Sequence, residues 1–258
     1  MFADRVAALD LELFAHIESQ TTDSDRKSLL AVHSGVADRT EPFSYLEIGS
    51  YLGGTLQVVI ADPRCARVVS IDSRPLTPPD DRRGGLQGEY RDNSTEQMRK
   101  LLQDVPGADL SKLETVEEST ENIAPGRFAR PDFCFIDGEH THRAALRDAR
   151  FCRTVMQGAG IIAFHDFHII ERAILDFLRE TRRPRRGYLL LHAVFIVELG
   201  AIPSLLDDPG IRAQLTPRGR IMASCAGVDT WLLAADIRRR QRPPASAAGR
   251  MRPQGDLR

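Results

Sequence analysis

The sequence predicts an α/β protein: a doubly wound, mostly parallel seven-stranded sheet with an N-terminal helical appendage. Three observations carry this. From Phe43 onward, short apolar runs alternate with helical stretches, the order that winds into a parallel sheet. A glycine-bearing turn follows the first strong strand and opens a helix. Two later strand candidates each end in an acid with a histidine close by.

The elements follow in order. Val6, Leu9, Leu13 and Ile17 recur at helical spacing and predict an amphipathic helix over residues 3–19. Ser24 is the expected cap of a second helix through Leu29, Leu30 and Val32. These helices, residues 1–40, read as a lid or packing appendage. A domain over 41–235 follows. Its strands are expected at Phe43–Ile48, Arg67–Asp72, Lys112–Glu117, Asp132–Asp137 and Gly160–His165, with helices near Thr55–Ala61, Ser94–Leu102 and Thr141–Met156. Residues 73–93 carry Pro75, Pro78, Pro79, Gly84, Gly85 and Gly88 and predict a long loop, a feature that compact domains keep for function or mobility. A helix over 168–182 and strands at Leu189–Val197 and Asp229–Ala235 complete the sheet. Residues 236–258 set seven arginines against Asp236 and Asp256 without apolar periodicity, the composition of a disordered, solvated tail.

Composition narrows the function. The 258 residues are 42% hydrophobic, 28% charged and 6% aromatic, which excludes collagen, wholesale disorder and a multi-span membrane protein. A formal net charge of −1 gives no reason to expect a nucleic-acid or membrane partner. Only Lys27, Lys100 and Lys112 are lysines, a bias towards arginine that we read as a genomic habit. Cys65, Cys134, Cys152 and Cys225 form no CxxC pair, and Cys134 and Cys152 sit among apolar residues as small core hydrophobes. The N-terminus lacks a basic stretch followed by an apolar run, and the longest apolar stretch, Tyr188 to Val197, is interrupted by His192. A soluble cytoplasmic protein is expected, with a homo-oligomer left open.

The first chemical signal is Tyr45-Leu46-Glu47-Ile48-Gly49-Ser50-Tyr51-Leu52-Gly53-Gly54-Thr55. Gly49 allows a tight turn at positive φ, Gly53 and Gly54 allow close backbone approach, and the helix start supplies free N–H donors. The spacing is not GxGxxG, and Glu47 would set a negative charge beside a pyrophosphate; a cationic ligand portion suits it better. Asp72, about 20 residues beyond the turn at the tip of the next strand, is placed to accept both hydroxyls of a ribose. Together these point to a nucleoside ligand without a pyrophosphate.

The second signal is Asp132-Phe133-Cys134-Phe135-Ile136-Asp137-Gly138-Glu139-His140, followed by Gly160-Ile161-Ile162-Ala163-Phe164-His165-Asp166. Neighbouring parallel strands would gather Asp137, His140, His165 and Asp166 at one sheet edge. Two carboxylates suit Mg²⁺, and an imidazole ligand shifts the preference towards Mn²⁺, Fe²⁺ or Zn²⁺. The plainer readings are a core role for His165, a solvent-facing His142, a His168 that begins a helix, and an exposed helical face for Arg147 and Asp148.

Over Phe43 to Phe167 these blocks resemble class I S-adenosylmethionine-dependent methyltransferases. The likeness is to metal-dependent O-methyltransferases of the catechol and caffeoyl type and to the macrocin O-methyltransferase and cephalosporin-hydroxylase-like group. The resemblance implies that Glu47, Gly49, Ser50, Gly53, Gly54 and Thr55 hold the methionine portion of S-adenosylmethionine, Asp72 its ribose, and Glu118 and Ser119 the neighbourhood of its adenine. It implies a divalent cation, Mg²⁺ or another, on Asp137, His165 and Asp166, with Asp137 and His140 catalytic and His140 the base. The chain departs from the catechol type in carrying His165-Asp166 where that type has acid-then-amide or acid-then-acid, and His140 where it has lysine. An imidazole with its ordinary pKa of about 6.5 is already neutral at pH 7 and accepts a proton without a shift. The expected partner is a small hydroxylated molecule: a sugar, a natural product or a diol. Two other readings stay open at this point, a nicotinamide-dependent oxidoreductase, against which the missing GxGxxG counts, and a non-catalytic nucleoside-binding scaffold.

Overall fold

The computed structural model describes residues 1–82, 88–181 and 185–224. The expected strand at Asp229–Ala235, Cys225 and the tail at 236–258 lie outside the described residues.

The N-terminal segment is not one long helix. Helix α1 (Phe2–Ala7) ends where Leu9 takes a left-handed backbone, φ 56, and Asp10 caps a short 3₁₀ turn, Leu11–Phe14, by accepting from the Glu12 N–H at 3.1 Å. The apolar spacing still marks the inner side, since Val6, Leu13 and Ile17 are buried. Helix α2 (Asp23–Ala37) starts two residues earlier than expected. Thr22, not Ser24, is its cap, because Thr22 and Asp25 exchange hydrogen bonds: the Thr22 hydroxyl accepts from the Asp25 N–H at 3.3 Å, and the Asp25 carboxylate accepts from the Thr22 N–H at 3.0 Å. Leu29, Ala31, Val32 and Val36 of α2 join the central hydrophobic core.

The sheet then builds in βα steps: β1 (Phe43–Ile48), α3 (Leu56–Ala61), β2 (Cys65–Ile71), α4 (Thr95–Gln103), β3 (Leu113–Val116), β4 (Phe133–Ile136), α5 (His142–Val155), β5 (Gly160–Phe164) and α6 (Phe167–Glu180). Strands β1 to β5 follow the expected positions with ends shifted by up to two residues. Every residue of β4 and β5 is buried, the continuous apolar pattern of a parallel strand covered on both faces. Cys134 and Cys152 are fully buried, as expected of small core hydrophobes.

The expected strand Leu189–Val197 is instead a hairpin, β6 (Arg185–Leu189) and β7 (Phe195–Leu199), with His192 at φ 56 in its turn. Leu190 and Val194, which flank the bend, are fully buried, while His192 at its tip is exposed. The hairpin supplies the sixth and seventh strands. Helices α7 (Pro209–Ala213) and α8 (Pro217–Ser224) follow.

Strand order is β3-β2-β1-β4-β5-β7-β6, parallel from β3 to β5, with β7 antiparallel to both neighbours. The order reverses between β1 and β4. With right-handed crossovers, α3 and α4 therefore cover one face and α5 the other. That reversal opens a crevice at the carboxyl ends of β1 and β4, the place where open α/β sheets take ligands. Among the described residues no helix is long and apolar enough to cross a membrane.

Candidate functional site

A cavity of about 560 Å³ occupies this crevice, a volume ordinary for a small-molecule site. The turn after β1, the tip of β2, the segment after β3 and the ends of β4 and β5 all border it. The residues before α2 and the β6–β7 turn also reach it. Three of its lining residues, Tyr51 (φ 44), Asp166 (φ 50) and His192 (φ 56), hold left-handed backbone without being glycine.

Gly49 locks the two central strands together. It sits at φ 87, and a β-carbon there would lie 2.2 Å from the Asp137 carbonyl oxygen. Only glycine lets the two strand ends approach this closely. Asp72, just past β2, accepts from the Tyr51 N–H at 2.8 Å through one oxygen and from the Arg74 N–H at 2.8 Å through the other. It thus pins the turn while bordering the cavity. Ser50 and Ser70 share a hydrogen bond of 2.6 Å, and the buried Arg74 guanidinium bonds the Tyr51 carbonyl and, at 3.0 Å, Asn93.

Two expectations at this turn are revised. Glu47 is fully buried and does not line the cavity; it takes the Tyr45 hydroxyl at 2.6 Å on one oxygen and the Thr55 hydroxyl at 2.6 Å on the other. Burial lifts its pKa to about 8, although both hydroxyls pull it down, so at neutral pH Glu47 is mostly protonated and presents no charge to a ligand. The space spared by Gly53 and Gly54 goes to the protein itself. Gly53 faces Met98 and Leu102 of α4, and a β-carbon on Gly54 would lie 2.6 Å from the Glu18 carbonyl. Gly54 and Thr55 border the cavity and Gly53 does not.

Past β3, Glu118 is exposed on the rim and Ser119 lines the wall with a buried hydroxyl that has no hydrogen-bond partner. Beside it, Asp148 overturns the expectation of an exposed helical face. It is 1% exposed and bonded by the Thr120 hydroxyl and by Arg147 Nε at 3.0 Å. Burial raises its pKa against the pull of Arg147. Helix α5 turns this carboxylate inward to the cavity, and the charges along the helix gave no sign of it.

At the ends of β4 and β5 the structure gathers Asp137, His140, His165 and Asp166, with one ligand atom from each inside a 4.8 Å circle. His140 Nε2 lies 3.0 Å from Asp166 and 3.7 Å from Asp137; His165 Nδ1 lies 3.0 Å from Asp137 and 3.6 Å from Asp166. Burial alone would lower both histidine pKa values, but the carboxylates reverse this and carry His140 to about 10 and His165 upward. Burial likewise raises Asp137 and Asp166, and the imidazoles pull both below the ordinary carboxylate range. The expected neutral imidazole is therefore charged in this arrangement, because two acids face it.

Sequence reasoning missed a second ring of residues. Asp25 of α2 lies 3.3 Å from His165 Nε2, and Asp80 lies 3.4 Å from His140 Nδ1. Asp80 comes from the long loop, which docks by an Asp81 N–H bond to the His140 carbonyl at 3.0 Å and a His142 N–H bond to Asp81 at 2.7 Å. Arg82 bonds Asp80 at 2.7 Å and lines the cavity with Tyr90. The cap expected at Ser24 passed over Asp25, and nothing in the sequence tied Asp25 to His165. His142 is half-exposed and pairs with Asp176 at 3.0 Å, and His168 is exposed at the start of α6.

The donor set suits a divalent cation. Four carboxylates surround two imidazoles, and the buried His140 Nε2, His165 Nδ1 and His165 Nε2 have charged neighbours but no well-aligned hydrogen bond. Buried polar atoms in that state are normally satisfied by something further.

Residues 46–167 match the model of a family described as a methyltransferase domain. No curated protein matches the sequence. Solved structures with a similar chain path include an O-methyltransferase from Bacillus cereus in complex with S-adenosylhomocysteine (14% identity, 78% of this chain and 90% of that one, TM-score 0.47). Another is the O-methyltransferase TomG from Streptomyces achromogenes, involved in tomaymycin synthesis and in complex with S-adenosylmethionine (12% identity, 79% and 90%, TM-score 0.48). A third is spermidine synthase from Thermotoga maritima (15% identity, 80% and 69%, TM-score 0.46).

Proposed function

We propose that this chain, whose residues 46–167 match a methyltransferase-domain family, is an S-adenosylmethionine-dependent enzyme that methylates a hydroxyl of a small molecule with the help of a divalent cation. One observation carries the reading: the glycine turn with Asp72 and the acid–imidazole cluster border the same cavity, joined by the Gly49–Asp137 contact.

The Gly49–Tyr51 turn would hold the methionine portion of the nucleoside. Asp72 keeps unused lone pairs for ribose hydroxyls after accepting its two backbone N–H groups. The unpartnered Ser119 hydroxyl suits an adenine edge. Asp137, His165 and Asp166 would hold the cation. S-adenosylmethionine would supply an activated methyl group, and a cation on these residues would supply positive charge that acidifies an acceptor hydroxyl and stands in for the imidazole protons beside the acids. His140 Nε2, then neutral, takes the hydroxyl proton, while Nδ1 stays turned towards Asp80. Fixing the acceptor oxygen near the methyl group is worth several kcal/mol of the roughly 7–11 that orientation can give, and the base about 10²–10⁴-fold.

Titration calorimetry with S-adenosylhomocysteine is the first test; no binding would remove the reading outright. Turnover is then measured by mass spectrometry on a panel of sugars, phenols and vicinal diols, with Mg²⁺ or Mn²⁺ and with chelator. Methylated product that disappears with chelator is expected. Equal product in both conditions would remove the cation from the scheme.

A further inference from the structure

Asp25 does more than a cap requires. One carboxylate oxygen, Oδ2, accepts from the Thr22 N–H at 3.0 Å and the Thr22 hydroxyl at 2.6 Å, which completes the cap of α2. The side chain is nevertheless buried, the residue being 2% exposed, and its other oxygen, Oδ1, has no hydrogen-bond partner. Burying a carboxylate is costly unless it meets positive charge or donors, and a cap alone works as well at the surface. Asp25 faces His165, whose Nε2 is 3.3 Å from Oδ2, while Nδ1 on the opposite side of the ring faces Asp137 and Asp166.

We propose that Asp25, on the N-terminal helix, is a positioning residue that holds the His165 ring with Nε2–H outward and Nδ1 aimed at Asp137 and Asp166. The contact is one of charge, 3.3 Å without a well-aligned hydrogen bond, and it favours the proton on Nε2 when the ring is neutral, so Nδ1 is presented as a ligand atom, the arrangement that carboxylates commonly impose on metal-binding histidines. The proposal rests on the reading above only for the identity of what Nδ1 meets. It makes the N-terminal helix part of the site: burial of Asp25 on α2 places the carboxylate against the ring, the carboxylate orients the ring, and the ring completes the cluster.

Three variants separate positioning from capping. Asp25→Asn removes the charge at constant shape. Asp25→Glu keeps a charged capping partner for Thr22, so it protects the fold, but moves the carboxylate by one methylene. Thr22→Ala breaks the cap and leaves the acid. Two readouts apply to the whole purified chain. In metal-free protein with isotope-labelled histidine, His165 should show an exchange-protected Nε2–H signal in wild type and in Thr22→Ala; the signal should vanish in Asp25→Asn and shift in Asp25→Glu. By electron paramagnetic resonance, Mn²⁺ should bind about 10–100-fold more weakly to Asp25→Asn and within about 3-fold of wild type to Thr22→Ala. An unchanged ring signal in both Asp25 variants overturns the proposal, as does a Thr22→Ala defect equal to that of Asp25→Asn. A wild type that binds no Mn²⁺ overturns the cation reading instead, and the ring signal alone then decides the role of Asp25.

Discussion

Glu47 on β1 and Asp137 just past β4 are carboxylates on neighbouring strands of one sheet edge, and they carry opposite charge states. Glu47 is fully buried between the Tyr45 and Thr55 hydroxyls, and burial carries its pKa to about 8. Asp137 also pays for burial, but the His165 and His140 imidazoles outweigh this and hold it below its ordinary value. The first acid is a neutral strut beneath a turn whose polar groups are already satisfied. The second belongs to a cluster whose ring nitrogens have charge around them but no aligned partner. A cradle formed in advance thus stands beside a set of donors awaiting a ligand, and acid type alone does not tell which is which. Neighbours within 4 Å do.

The largest effect that can break this contrast is on turnover. Asp137→Ala should lower methyl transfer by about 10³-fold or more, since it removes a cation ligand and frees His140 from one of its three acids. Binding of S-adenosylhomocysteine, read by calorimetry, should stay within about 3-fold. A variant that turns over normally would make Asp137 as structural as Glu47. Gly49→Ala attacks the seam between the halves. Its β-carbon would meet the Asp137 carbonyl at 2.2 Å from a backbone at φ 87, so a loss of about 3 kcal/mol or more in urea unfolding is expected. A loss below about 1 kcal/mol would show that the strand ends separate easily.

The same contrast explains what could be read from sequence. The glycine turn, Asp72 and the strand-end acids and histidines were readable because each is dictated locally: a turn needs positive φ, and a continuous apolar strand most readily takes up charge where it ends. Asp25 and Asp80 were not, because their meaning lies in rings contributed by distant strand ends. Asp148 was misread for a similar reason, since a charged position on a helix says nothing of the Thr120 hydroxyl and Arg147 guanidinium that allow its burial. The β6–β7 hairpin escaped because buried Leu190 and Val194 lie on either side of a three-residue bend, so the apolar run looks almost continuous.

Asp72 sharpens the picture on the side of the turn. Asp72→Ala deletes acceptors for the Tyr51 and Arg74 N–H groups as well as for a ribose, so the affinity for S-adenosylhomocysteine should fall about 10–100-fold, with turnover at saturation less affected. Loss of turnover without loss of affinity would place Asp72 with the chemistry instead.

A dependence on pH is the effect most specific to Glu47. Its folded pKa, about 8, lies above the 4.5 of a free glutamate. A group raised in this way contributes stability that is fully present below the unfolded pKa and is lost as pH rises through the folded one. Wild type should therefore lose that contribution progressively between about pH 4.5 and pH 8. Glu47→Gln has no proton to lose, so its stability relative to wild type should climb across the same window. The difference between the two urea-unfolding curves isolates Glu47, because the imidazole–carboxylate pairs titrate alike in both proteins. Parallel curves would mean that Glu47 is ionised throughout and faces a compensating charge, and the turn would then resemble the cluster next to it.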